Sequence, residues 1–155
     1  MSDVSQNHVL FVCTGNTCRS PMAEGLLKLA LKDKPEIKIS SAGVSASPGH
    51  AASRNTQQVL SSKSASLPEF FSRQLDAHIL KEASLIIAMT TSHAGVIRHY
   101  FPDAKVHLIC DFVAAEESLA GEDLPDPYGM ELDAYEEVAE VIELATPGII
   151  KELSS

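Results

Sequence analysis

Tryptophan is absent from the sequence, and phenylalanine and tyrosine together make up only 5% of its 155 residues. The core must therefore be built mainly from leucine, isoleucine, valine and alanine, within an overall hydrophobic content of 45%. A chain of this length and composition is typical of one compact domain, and we expect residues 1–155 to form it.

Positive charge is also scarce. The sequence contains 12 Lys and Arg residues and 21 Asp and Glu residues, which gives a net charge of −9. Proteins that bind nucleic acid cluster Lys and Arg against the phosphate backbone, so we expect no nucleic-acid partner. No apolar run approaches the roughly 20 residues that a membrane-spanning helix needs, so we expect no membrane partner. The opening MSDVSQNH is polar and carries Asp3, which predicts neither a secretory signal nor a transit peptide.

The three cysteines, Cys13, Cys18 and Cys110, are too few and odd in number for a disulfide framework. Free cysteines are typical of a reducing compartment, which predicts a cytoplasmic location. The six histidines form no HExxH or similar pattern, so we expect each to be a surface or hydrogen-bonded histidine and predict no metal or cofactor.

Apolar periodicity predicts strands that alternate with helices. The run Val9 to Val12 is typical of a buried strand, and Ser20-Pro21 is a plausible N-cap and first position of the helix that follows. Further strands are predicted at 37–39, 84–89 and 106–109, and helices at 50–60, 75–82, 92–99 and 132–153, with Pro147-Gly148 expected to bend or break the last one. This order predicts an α/β fold with a parallel sheet flanked by helices.

The segment between the first strand and the first helix carries the chemistry. Five residues separate Cys13 from Arg19, and a cysteine at a helix N-terminus meets the positive end of the helix dipole and free N–H groups. These favour the thiolate, which is the nucleophilic form. Arg19 supplies a planar fork that matches two phosphoryl oxygens, and Ser20 is placed to donate a hydrogen bond to the sulfur of Cys13.

The residues from Thr14 to Cys18 can turn their N–H groups toward a phosphate as an anion-binding nest. Gly15 can adopt a positive φ at little cost, and Asn16 is among the few other residues that tolerate it. A Cys and an Arg at this spacing also occur by chance, and a cysteine is often a small buried hydrophobic residue. The strand before the loop and the helix after it favour the phosphate-binding interpretation.

The same residues identify a resemblance. VCTGNTCRSPMAEG, SSAGVSASPG, SLIIAMT and DPYG together make the chain similar to the low-molecular-weight protein tyrosine phosphatase family over almost its whole length. The resemblance implies a flavodoxin-like parallel sheet with helices on both faces, in three layers. It also implies a cysteine-dependent phosphatase that acts on phosphorylated proteins, with inorganic phosphate as product and inhibitor.

The leaving group needs a proton, which a carboxylic acid usually supplies. Asp126-Pro127 is by itself a turn signal, but the resemblance implies that Asp126 is the general acid and then the base that activates water. It also implies that Cys13 forms a cysteinyl-phosphate and that Tyr128 lines the pocket beside the substrate.

Two further roles are implied by the resemblance, each beside a structural alternative. Cys18 would form a reversible disulfide with Cys13 that protects the nucleophile, or would only pack behind the loop. Ser41 would support the loop through a hydrogen bond with Asn16, or would be an ordinary turn serine. Apart from the resemblance, Arg73 is a candidate to hold a loop near the site, with a solvated side chain as the alternative.

Thr17 bears on the substrate. The tyrosine phosphatase branch of the family typically has Ile at this position, whereas a branch specific for protein phosphoarginine has Thr. Tyr128 points the other way, because an aromatic residue in the Asp126 loop suits a phosphotyrosine ring. Phosphotyrosine and phosphoarginine therefore both remain candidate substrates. An alternative is an arsenate reductase of the same fold. Such an enzyme relays a disulfide through two further downstream cysteines, but only Cys110 follows the loop.

Overall fold

The computed structural model describes residues 7–115, 117 and 120–154, so most of the polar opening segment, for which we expect no targeting signal, lies outside the described residues. Strands and helices alternate along the described chain. The strands are β1 His8–Cys13, β2 Lys38–Gly43, β3 Leu85–Ala88 and β4 Val106–Leu108, and the helices are α1 Arg19–Ala30, α2 Arg54–Ser62, α3 Ala77–Glu82, α4 Thr91–Tyr100 and α5 Leu132–Leu153. A short 3₁₀ helix follows β4 at Ile109–Phe112.

Within the described residues, the strands form one sheet of four in the order β2-β1-β3-β4. Every pairing is parallel: β1 pairs with β2 and β3, and β3 pairs with β4. Parallel neighbours need a crossover on a face of the sheet, and the helices between the strands supply these crossovers. The predicted parallel α/β architecture is therefore confirmed.

The side chains of β1 alternate between two buried clusters. Val9 and Phe11 join residues of α1 and α5 on one face of the sheet, whereas Leu10 and Val12 join residues of α3 and α4 on the other. A strand that is buried on both faces needs apolar residues at successive positions, which explains the continuous run Val9 to Val12. The sheet lies between two helical layers, so the three-layer arrangement is confirmed.

The strand order places a crevice at the carboxyl ends of β1 and β3. β1 leads into α1, which packs on one face, and β3 leads into α4, which packs on the other. The connections that follow these two neighbouring strands therefore run to opposite faces of the sheet. Ligands of open α/β sheets bind at such a point, where the direction of the strand order reverses. The loop with Cys13 and Arg19 begins at this point.

Two local predictions are wrong. Ser20 is not the N-cap of α1, because the helix begins at Arg19 with Cys18 as its cap residue and no side-chain cap. Of the bend or break expected at Pro147, the break is wrong, because α5 runs unbroken from Leu132 to Leu153. The buried residues Ala145 and Ile149 flank the proline, so packing of this face holds the helix together across it.

Among the described residues, no helix combines the length and apolar character that crossing a bilayer requires.

Candidate active site

The loop after β1 holds the thiol of Cys13 at its centre. The side chain is buried, and Cys13 Sγ lies 2.8 Å from Ser20 Oγ. The backbone N–H of Asn16 donates to the same sulfur at 3.3 Å. The predicted contact between Ser20 and Cys13 is thus present, and two donors stabilise negative charge on the sulfur.

Asn16 adopts the left-handed backbone conformation in the loop, with φ of 58°. Gly15 does not, so of these two residues, both able to tolerate a positive φ, it is Asn16 that adopts one. A Cβ at position 15 would meet only Thr17 Oγ1, at 3.8 Å. The structure therefore gives no steric reason for glycine at this position.

The side chain of Asn16 organises the loop from behind. Its Nδ2 donates to Ser20 Oγ and to Ser41 Oγ, both at 2.9 Å. Its Oδ1 accepts from the backbone N–H of Arg73 at 3.0 Å, and Arg73 Nε donates to the carbonyl of Ser41 at 2.9 Å. The contacts expected of Ser41 and Arg73 are therefore present. Ser20 Oγ accepts a hydrogen bond from Asn16, so its own hydroxyl proton is free to donate to Cys13.

Glu24 lies at the end of this hydrogen-bond network and was not identified from the sequence. Ser41 Oγ donates to Glu24 Oε1 at 2.6 Å, and Lys28 Nζ lies 2.7 Å from Glu24 Oε2. The carboxylate is buried on α1, and a buried charge is retained only where it is paired and hydrogen-bonded. Because Ser41 donates its hydroxyl hydrogen bond to Glu24, its oxygen serves as the acceptor for Asn16.

Arg19 extends across the site toward the segment that carries Asp126. Its Nη1 donates to the carbonyl of Leu124 at 3.0 Å, and its Nη2 lies 3.6 Å from Asp126 Oδ2. The backbone N–H of Leu124 donates to the carbonyl of Met89 at the end of β3 at 3.1 Å. Arg19 is buried, so its guanidinium has a fixed direction.

Asp126 and Tyr128 form the outer side of the site. The side chain of Asp126 is 55% exposed, and its Oδ1 accepts from the backbone N–H of Tyr128 at 3.1 Å. Tyr128 is 76% exposed, so its ring is available to a ligand. An exposed carboxyl group that faces a guanidinium is placed to exchange protons with water or with a bound molecule.

These residues enclose a cavity of about 220 Å³. Eight of the residues singled out from the sequence line it: Cys13, Thr14, Gly15, Thr17, Cys18, Arg19, Asp126 and Tyr128. Asn16 and Ser20 lie behind the loop and support it. The structure therefore brings the predicted site residues together around one cavity.

Gly43 is a second residue that the sequence analysis missed. A Cβ at this position would collide with the backbone carbonyl of Thr14 and would lie 3.0 Å from the amide nitrogen of Asn16. The two residues after it continue the contact, because Val44 N donates to the carbonyl of Cys13 and Ser45 N to that of Thr14, both at 2.9 Å. Glycine thus lets β2 approach the loop closely.

Cys18 lies beside Tyr135 on α5. Its Sγ is 3.6 Å from Tyr135 Oη and 3.9 Å from Thr17 Oγ1. Burial, together with the neighbouring Cys18 thiol, raises the pKa of Tyr135 to about 12, so the phenol stays protonated. All three cysteines are free, and burial raises the pKa of Cys110 to about 11, so its thiol stays protonated.

His93 is the third residue that escaped notice. It is 4% exposed on the first turn of α4, and its Nε2 lies 2.8 Å from Thr14 Oγ1. Burial and, next, the positive charge of Arg19 lower the pKa of His93 to about 4. The expectation of a hydrogen-bonded histidine is correct, but its position beside the loop that follows Cys13 could not be read from local sequence.

No group of three or more His, Cys, Asp or Glu side chains is placed to hold a metal ion in the described part of the chain. The site instead combines a buried free thiol, a guanidinium and a carboxyl group on the carboxyl edge of a parallel sheet. These features define the class of cysteine-dependent phosphatases.

Comparisons with known proteins agree with this class. The family model for low molecular weight phosphotyrosine protein phosphatase matches residues 8–155. A protein-arginine-phosphatase of Geobacillus stearothermophilus is 34% identical over 149 residues, which are 95% of this chain and 96% of the relative. The crystal structure of the tyrosine phosphatase AmsI of Erwinia amylovora superposes with a TM-score of 0.85 at 34% identity, covering 96% of this chain and 94% of that chain.

A mutant of the YwlE arginine phosphatase with a phosphorylated active-site serine superposes with a TM-score of 0.83 at 33% identity, covering 96% of both chains. The chain belongs to the low molecular weight phosphotyrosine protein phosphatase family.

Proposed function

We propose that this protein removes the phosphoryl group from phosphotyrosine or phosphoarginine residues of proteins, with Cys13 as nucleophile. The observation that carries the assignment is the placement of the Cys13 sulfur. It lies in the cavity of about 220 Å³, 2.8 Å from Ser20 Oγ and 3.3 Å from the backbone nitrogen of Asn16, and Arg19 and Asp126 line the same cavity.

In the first step the Cys13 thiolate attacks phosphorus, and the bond from phosphorus to the leaving oxygen or nitrogen breaks. Arg19 and the backbone N–H groups of the loop stabilise the charge on the phosphoryl oxygens. Asp126 gives its proton to the leaving atom. The products are a cysteinyl-phosphate and the dephosphorylated side chain.

In the second step water attacks the cysteinyl-phosphate, and Asp126 accepts the proton of that water. The sulfur–phosphorus bond breaks, inorganic phosphate forms, and the Cys13 thiolate is restored. Inorganic phosphate fits the same cavity, so it acts as an inhibitor as well as a product. The hydroxyl of Ser20 supports the departing thiolate.

Opposing features support the two substrates. Thr17 puts a hydroxyl group on the cavity wall, which suits the polar guanidinium of phosphoarginine better than a phenyl ring. The exposed ring of Tyr128 offers a stacking surface, which suits phosphotyrosine. Relatives of both kinds match this chain at similar identity, so the comparisons do not separate the two.

The experiment is to measure kcat/KM on matched phosphotyrosine and phosphoarginine peptides, with Thr17→Ile beside the wild type. A preference for phosphoarginine that Thr17→Ile reverses makes Thr17 the selector. A preference for phosphotyrosine makes Thr17 a tolerated variant. Cys13→Ser is the matched control, because it should bind phosphate and turn over neither peptide. Activity of the wild type on neither peptide, or turnover by Cys13→Ser, would contradict the proposal.

The thiol chemistry also suggests a setting and a form of protection. A nucleophilic thiol works only when reduced, which favours a reducing compartment such as the cytoplasm. Cys18 shares the cavity with Cys13, so oxidised Cys13 has a partner for a reversible disulfide within the same loop.

A further inference from the structure

The imidazole of His93 connects two threonines that lie after different strands. Its Nε2 lies 2.8 Å from the hydroxyl of Thr14, the residue that follows Cys13. Its Nδ1 lies 3.0 Å from the hydroxyl of Thr90, which follows β3. His93 is nearly inaccessible to solvent, so these two contacts fix both edges of the ring.

The role of Thr90 sets the tautomer of His93. Thr90 caps α4, because its Oγ1 accepts from the backbone N–H of His93 at 3.3 Å. With one acceptor role filled in this way, the Thr90 hydroxyl has its proton available for Nδ1, and this is the arrangement on which the inference is built. A neutral imidazole carries one N–H, so when Thr90 donates to Nδ1, Nε2 holds the proton and donates a hydrogen bond to Thr14 Oγ1.

This direction determines what Thr14 offers to the cavity. Its oxygen accepts from His93, so its own proton cannot point to the ring. Thr14 lines the cavity with Cys13 and Arg19, so a molecule bound there is an acceptor to which this proton can turn. The oxygens of a phosphoryl group are acceptors, so a hydroxyl oriented in this way suits them, whereas the opposite tautomer would present only lone pairs.

The ring also remains neutral under ordinary conditions. Burial and the nearby Arg19 guanidinium keep its pKa near 4, although the carboxylates of Asp126 and Asp123 act in the opposite direction. A neutral ring has one donor and one acceptor, which the chain of hydrogen bonds from Thr90 to Thr14 requires.

We propose that His93 is a positioning residue that directs the hydroxyl of Thr14 to donate a hydrogen bond to the phosphoryl group. The inference rests on the proposed function for the identity of the ligand. The hydroxyl of Thr14 would then be a side-chain donor in addition to the backbone N–H groups of the loop, and it is oriented by His93 on α4. His93 itself does not contact the phosphoryl group.

The test compares Thr14→Val, His93→Leu, His93→Gln and the double variant Thr14→Val/His93→Leu. The readouts are the inhibition constant of inorganic phosphate and kcat/KM on the better peptide. Loss of one hydrogen bond to a charged group predicts about a tenfold weaker inhibition by phosphate in each of the first two variants. The double variant should be no worse than either single one, because both changes remove the same donor.

His93→Gln provides the rescue, because its amide N–H can reach the position of Nε2, and it should recover most of the phosphate affinity. His99→Leu is the matched control, since it makes the same change at an exposed position of α4. Additive losses in the double variant would overturn the proposal. A loss of peptide affinity with unchanged inhibition by phosphate would also overturn it, because Thr14 would then contact another part of the substrate.

One measurement needs neither a variant nor turnover. The ¹⁵N chemical shifts of the His93 ring in the wild type report which nitrogen carries the proton. A protonated Nε2 supports the inference, and a protonated Nδ1 contradicts it. Titration of the wild type and Thr14→Val with inorganic phosphate, followed by NMR, tests the donor even if neither peptide is a substrate, so failure of the proposed function stays distinguishable.

Discussion

The hydrogen bond from Ser20 to Cys13 should act mainly on the second chemical step. In the free enzyme Ser20 stabilises the thiolate, so the bond is present before attack and is weakened as the sulfur attacks phosphorus. When the cysteinyl-phosphate breaks down, negative charge returns to the sulfur and the bond strengthens again. Replacing Ser20 with alanine should therefore slow dephosphorylation much more than phosphorylation of Cys13.

The size of the effect follows from the geometry. The Ser20 Oγ to Cys13 Sγ distance is 2.8 Å in a buried site, and a hydrogen bond to a charged group contributes about 1.5–3 kcal/mol. Each 1.36 kcal/mol is a factor of ten in rate, so breakdown of the intermediate should slow by about 10- to 100-fold. The second N–H contact at the sulfur, from Asn16, remains and limits the loss.

Rapid-mixing kinetics on an aryl phosphate distinguish the two steps. Ser20→Ala should show a burst of aryl alcohol close to one equivalent of enzyme, followed by slow turnover, with a reduced KM because the intermediate accumulates. Ser61→Ala, an exposed serine on α2, is the control and should behave like the wild type. If Ser20→Ala slows the burst itself as much as the steady state, Ser20 does not act on the leaving thiolate.

Three further predictions concern other residues. Asp126→Asn should slow a phosphoester with a poor leaving group far more than an activated one, measured as kcat on a series of aryl phosphates; equal slowing would count against Asp126 as the acid. After mild peroxide treatment, Cys18→Ala should regain less activity with thiol than the wild type does; equal recovery would leave Cys18 a packing residue. Because the pKa of His93 is lowered to about 4 in the folded protein, unfolding takes up a proton between about pH 4 and 6.5. The free energy of unfolding should therefore decrease as the pH is lowered from 6.5 to 4, by up to about 3 kcal/mol. The free energy of unfolding, measured with urea at several pH values, should decrease more steeply on acidification for the wild type than for His93→Gln. Parallel pH dependences of the two proteins would contradict the buried neutral ring.

The local parts of the site were predictable because their signals are contiguous in the chain. The strand ending at Cys13, the positive φ of Asn16 and the helix that begins beside Arg19 all come from neighbouring residues. Asp126 is far away in sequence, and it was found through the family resemblance rather than through a local pattern.

The supporting residues were missed because they act across long separations. His93 is 79 positions from Thr14, and a histidine on a predicted helix gives no sign of which loop it will face. Gly43 resembles an ordinary turn glycine until β2 is paired with β1, when the carbonyl of Thr14 fills the space of a Cβ. Glu24 reads as one more charge on an amphipathic helix, but it faces Ser41 from the buried side.

The two wrong local predictions have the same origin. Ser20-Pro21 has the chemistry of a helix start, but the hydroxyl of Ser20 is engaged by Cys13 and Asn16 instead of by the helix N–H groups. Pro147 has the chemistry of a helix break, but tertiary packing of α5 against the core overrides it. In both cases contacts distant in sequence override a sound local rule.

Trapping the phosphoenzyme shows which residue of the chain attacks phosphorus. The enzyme is mixed with a phosphorylated substrate, quenched with denaturant within the burst phase, and digested for mass spectrometry. We expect a phosphoryl group on the peptide that contains Cys13, attached to the sulfur, in greater amount in Ser20→Ala than in the wild type. A phosphoryl group on another residue, or turnover in Ser20→Ala without any phosphoenzyme, would contradict it.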